Sequence, residues 1–99
     1  LQPNAGDLII TYDLDKNNVI HSNVGATGVI NAKVGQGTFY QQKYTYLDDY
    51  IVRVLVSGDA DIIDGTTGKF VKEGTVHVTI LPNGYDWEDA YEFYIRVTK

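Results

Sequence analysis

The stretch Val54–Ile80, VLVSGDADIIDGTTGKFVKEGTVHVTI, decides how the chain is read. Val54 and Val56 alternate with Leu55 and Ser57, and Val76, Val78 and Ile80 alternate with Thr75, His77 and Thr79. That is the period of two along a β-strand, whose successive side chains point to opposite faces. Between the runs stand Ser57–Gly58–Asp59, Gly65–Thr66–Thr67–Gly68 and Glu73–Gly74. Such residues close turns, because glycine reaches positive φ and Asp bonds its own backbone. The stretch therefore reads strand, turn, strand, turn, strand, with no catalytic chemistry in it.

The same punctuation extends outward. Leu8, Ile10, Tyr12 and Leu14 alternate with Ile9, Thr11 and Asp13, and Asp15–Asn18 follows as a turn. Val19–His21 is a short strand, Asn23–Gly28 a loop, and Gly28–Val34 a strand with Ile30, Ala32 and Val34 on one face. Gly35–Gln36–Gly37 reads as a hairpin turn. Phe39–Tyr46 alternates again, and Tyr50–Val56 is apolar on both faces, which suggests a central strand. Thr75–Leu81 should expose Thr75, His77 and Thr79. Pro82–Asp89 is irregular, and the closing run turns Tyr91, Phe93, Ile95 and Val97 inward against Glu92, Tyr94, Arg96 and Thr98. The sum is roughly seven to nine short strands with no credible helix between them, which predicts an all-β, antiparallel sandwich or barrel.

Composition fits one domain over residues 1–99, with 1–7 as a polar lead-in or linker. An apolar fraction of 43% is globular, and Val, Ile, Tyr and Thr suit a half-buried pleated surface. The chain has no cysteine, so no disulfide or zinc–thiolate site. A net charge of −5 argues against nucleic acid and anionic membrane as partners. The run is too short in apolar stretches for membrane insertion. Leu1 in place of an initiator Met suggests an excised or processed piece of a longer protein.

Four groups of residues invite a functional reading. Asp13, Asp15 and Asn17 have the spacing that opens a calcium loop, and their oxygens would suit a hard cation. The glycine and glutamate that complete an EF-hand are replaced by Asn18 and Val24, so a strand running into an Asp/Asn turn is the competing reading. Asp59, Asp61 and Asp64 form a second acidic group, read chiefly as turn formers. The loop containing Tyr85, Asp86 and Trp87 joins aromatic rings to carboxylates, as sugar-binding surfaces do. Its alternative is a Trp87 that folds back over the core. Tyr40, Tyr44 and Tyr46 share one strand face and offer either an aromatic platform for ligand or ring bodies for the core. His21 and His77 have no nucleophile motif beside them, and neither a GxSxG elbow nor an HExxH pair nor a P-loop is present. No enzyme activity and no cofactor other than calcium is expected.

Residues Val56–Ile80, through Ser57–Gly58, Thr67–Gly68–Lys69–Phe70, Gly74–Thr75 and Val78–Thr79–Ile80, together with Tyr91–Lys99 (YEFYIRVTK), resemble bacterial immunoglobulin-like domains. The resemblance covers about a third of the chain and carries no functional residues. It implies an immunoglobulin-like β-sandwich within a larger bacterial or phage protein, extracellular or on the cell surface. The implied role is a non-catalytic spacer or adhesion module whose partners are neighbouring domains, glycan or a host surface protein. A carbohydrate-binding module using the aromatic loop or the tyrosine face is the alternative.

Overall fold

The period-two runs fold as strands. The computed structural model describes residues 3–14, 19–44, 52–58, 61–82, 88 and 90–99. Their strands are β1 (Leu8–Leu14), β2 (Ile20–Ser22), β3 (Val29–Lys33), β4 (Thr38–Tyr44), β5 (Val52–Gly58), β6 (Gly74–Pro82) and β7 (Tyr91–Thr98). They make two sheets, in the orders β2-β1-β4 and β3-β7-β6-β5, and no described residue is α-helical.

One core lies between the sheets. Ile10 and Tyr12 reach it from β1; Val76, Val78 and Ile80 from β6; Phe93, Ile95 and Val97 from β7; and Ala32 from β3. Ile62 and Phe70 close one end and Val24 fills a side. Full burial of each such aliphatic or aromatic side chain contributes about 1.5–3 kcal/mol from transfer alone.

The sheets are mixed, not antiparallel as the pattern predicts. β1 runs parallel to β4, and β3 runs parallel to β7, while β1·β2, β5·β6 and β6·β7 are antiparallel. A parallel pair needs a crossover connection of a dozen residues or more, usually a helix. Here strands supply it: the chain leaves β1, passes through β2 of the same sheet and β3 of the other, and returns as β4. Gly35–Gln36–Gly37 is accordingly no hairpin. Its tight turn forms, with Gln36 N–H donating to the Lys33 carbonyl at 3.1 Å, but it carries the chain from one sheet to the other. β5 pairs with β6 alone and stands at the described edge of its sheet, not at the centre. Thr79, expected outside, is only 8% exposed, and Leu81 beyond it is 1% exposed.

The two ends of the described chain meet at one pole. Leu8 N–H donates to the Gly37 carbonyl at 2.9 Å, and Gln36 Nε2 donates to the Gly6 carbonyl at 2.9 Å. Val34 N–H donates to the Thr98 carbonyl at 2.9 Å, and Lys33 Nζ to the Lys99 carbonyl at 3.2 Å. Residues 33–37 thus bind both the entering and the leaving strand. A small hairpin at 62–71 seals this pole. Asp64 Oδ1 accepts from Thr66 N–H at 2.8 Å, the turn-forming role expected of it, and Phe70 N–H donates to the Gln36 carbonyl at 2.8 Å.

Candidate functional site

The strand ends Leu14 and Ile20, Tyr44 and Val52, and Pro82 and Tyr91 lie at the opposite pole. The segments that join these pairs carry most of the residues singled out from the sequence. Asp15, Asn17, Tyr46, Tyr85, Asp86 and Trp87, with Asp59 of the second acidic group, lie outside the described residues. Asp13 stands in β1 opposite His21 of β2 and, across a register shift, opposite Tyr44 at the end of β4. Among the described residues no three His, Asp or Glu side chains converge as ligands of a metal ion. The calcium reading therefore rests on Asp15 and Asn17. Of the tyrosine row on β4, Tyr40 packs against the core, and burial raises its pKa above the ordinary phenol value against a smaller opposing effect of a hydrogen bond with Thr38.

The described residues assemble a different constellation on the outer face of β6 and β7. Ile80 pairs with Tyr91, which sets His77 opposite Tyr94 and Glu92 on the diagonal. Diagonal neighbours on one sheet face are within reach of long side chains. The imidazole of His77 stacks on Tyr94 with ring centroids 4.9 Å apart and planes 23° apart, and its Nε2 lies 3.1 Å from Glu92 Oε1. Both partners remain open to solvent: Tyr94 is 46% exposed and the Glu92 side chain 59%.

Glu92 also borders a depression of about 340 Å³, with His21, Ser22, Gly25, Gly28 and Tyr91 around it. Topology creates this hollow. β3 begins only at Val29, opposite Tyr94, so among the described strands nothing pairs with Tyr91 and Glu92 on that side. The β2–β3 loop forms the wall instead, and its course is fixed by Asn23. That side chain accepts from Thr11 N–H at 2.9 Å and donates to the Ile9 carbonyl at 2.8 Å, continuing along β1 the ladder that β2 leaves at Tyr12. Gly25 and Gly28 keep the wall low, with open space where a Cβ would stand.

The alternation places His77, Glu92 and Tyr94 on the outward face singly and does not join them. Their association depends on the β6–β7 register. The alternation Val76–Ile80 against Tyr91–Val97 requires inward residues to face one another, but several registers satisfy that condition.

No protein-family model matches the chain, and no curated protein or solved structure matches it.

Proposed function

We propose that the chain is a non-catalytic immunoglobulin-like β-sandwich module of a larger bacterial or phage surface protein, held at one pole and presenting the other. The observation that carries this reading is the convergence of residues 4–8 and 98–99 on the Lys33–Gly37 crossover. Any chain joined ahead of Asn4 or after Lys99 would attach at that pole. A module joined so would project from its parent as a bud, rather than sit as a link between domains at opposite ends. Two sheets around a shared core supply a rigid body for such display, and loops and strand ends at the free pole are where binding residues concentrate in modules of this build. The −5 charge suits a solvated, surface-borne domain.

The experiment is antibody labelling of intact cells or particles that make the parent protein. Antibodies raised against the isolated chain should label them without permeabilisation. Labelling that appears only after permeabilisation overturns the surface assignment. The attachment geometry has its own readout: dyes on Pro3→Cys and Lys99→Cys should show high energy transfer in the folded chain, and low transfer overturns the one-pole arrangement.

A further inference from the structure

We infer that the Glu92 corner is a binding site for a neutral saccharide, an assignment that goes beyond the display-module reading and does not depend on surface location. Three properties converge there. The first is an exposed aromatic ring held in place: Tyr94 is 46% exposed and backed by the His77 imidazole at 4.9 Å, so it offers a face without losing rotamer freedom on binding. The second is an oriented acceptor. Glu92 is tethered to His77 through Oε1, and a carboxylate has lone pairs beyond those one partner uses. The third is a hollow of about 340 Å³ whose lining mixes hydroxyl-bearing residues, Ser22 and Tyr91, with the Glu92 carboxylate.

Glu92 and Tyr94 sit two residues apart on the same strand face, about 7 Å. A ligand of two or more sugar rings spans both, one ring over the Tyr94 face and the next in the hollow beside Glu92. The competing chemistries fit less well. An anion would meet the Glu92 carboxylate and a chain of net charge −5. A divalent cation finds no convergence of three His, Asp or Glu side chains among the described residues. An organic cation would use Glu92 and the Tyr94 face, but offers no acceptor to the hydroxyls of Ser22 and Tyr91 that line the hollow. A polyol satisfies donors and acceptors together, and the C–H face of a pyranose covers the ring.

The test is an NMR titration of the ¹⁵N-labelled full chain with three probes, cellotriose, maltotriose and chitotriose, each up to roughly tens of millimolar. At least one should shift the Gly25, Gly28, Glu92 and Tyr94 amides saturably. Tyr94→Ala should weaken that binding by about tenfold, and Glu92→Gln should weaken it while leaving the spectrum otherwise folded. Trilysine should not compete. The proposal is overturned by silence from all three sugars, by shifts located elsewhere on the chain, by unaltered affinity in a folded Tyr94→Ala variant, or by trilysine binding the same amides in place of sugar. If Tyr94→Ala does not fold, Tyr94→Phe serves: it keeps the ring and should retain binding, and its failure to do so overturns the stacking role.

Discussion

Ile62 Cδ1 lies 2.5 Å from the point where a Cβ on Gly74 would stand. Ile62 is itself 2% exposed and packed in the core, so its methyl must repack against core neighbours to make room. Gly74 also has φ of 154°, in the region that residues with a Cβ rarely adopt. Both constraints act at the first residue of β6, where the chain turns out of the 62–71 hairpin into the sheet. Gly74→Ala should therefore destabilise the fold by about 2–4 kcal/mol, through overpacking and backbone strain together. Urea denaturation of the variant measures this. Ile62→Ala in the same chain should offset part of the loss, because it removes the clash and leaves only strain and a smaller core. A Gly74→Ala variant within about 0.5 kcal/mol of the parent would show that the hairpin shifts freely.

Asn23 acts as a strand of one residue. Its amide makes both an accepting and a donating bond to β1, at Thr11 N–H and the Ile9 carbonyl. Asn23→Ala leaves two backbone groups of β1 to find other partners and should cost about 1–3 kcal/mol. Asn23→Asp keeps the acceptor for Thr11 but sets a carboxylate oxygen against the Ile9 carbonyl, and should cost a comparable amount. The two variants are compared by their urea midpoints. A neutral effect of both would show that β1 needs no partner beyond Tyr12. Because the same loop walls the hollow beside Glu92, the Gly25 and Gly28 amides should shift in both spectra.

Side-chain rows were legible in the sequence and strand partners were not. Val76, Val78 and Ile80 against Thr75 and His77, and Phe93, Ile95 and Val97 against Glu92 and Tyr94, are arranged as the alternation predicts. Alternation reports which face is covered, a local property. Parallel pairing of β1 with β4 and of β3 with β7 is set by connections through the other sheet, and nothing within any one strand encodes it. β5 shows the difference clearly. Its two apolar faces suggest a central strand, yet β5 pairs with β6 alone, and the β6 residues opposite Leu55 and Arg53, the buried Thr79 and Leu81, lie on the outer side of that strand. Apolar residues on both faces register cover above and below the sheet. They carry no information on the in-plane direction, where hydrogen bonds alone decide between edge and centre. The candidate site was illegible for the same reason: His77, Glu92 and Tyr94 become neighbours only through register.

Two phenols should titrate late. Tyr12 lies in the core and Tyr40 packs against it, and burial raises both pKa values, for Tyr40 against a weaker lowering by its Thr38 hydrogen bond. The folded state thus holds these protons more tightly than the unfolded chain. The stabilisation is complete below the unfolded value of about 10 and is lost as pH rises through the higher folded values. Absorbance of phenolate against pH should show the last tyrosines ionising together with unfolding. Tyr40→Phe and Tyr12→Phe should each reduce that late amplitude and flatten the fall in stability on the alkaline side. A single titration at the ordinary phenol value, complete before unfolding, would contradict the burial of both rings.

β5 tests whether the edge of the second sheet is open in solution. Its register runs from Val52 opposite Pro82 to Gly58 opposite Val76. In an antiparallel pair, residues of one parity exchange both hydrogen bonds with the partner, and those of the other parity direct N–H and C=O away from it. Amides of 52–58 should therefore alternate in hydrogen exchange. One parity should be protected as in β6, and the other should exchange at least about ten times faster. β6 over Val76–Ile80 and β7 over Tyr94–Val97, which have strands on both sides, should be protected at consecutive residues. A long, largely apolar edge with VRVLVSG and a single charge is also the kind that captures another strand. If protection along β5 is uniform, dilution separates the causes. Protection that decays with dilution identifies pairing with a second copy, and protection that persists identifies cover from within the same chain.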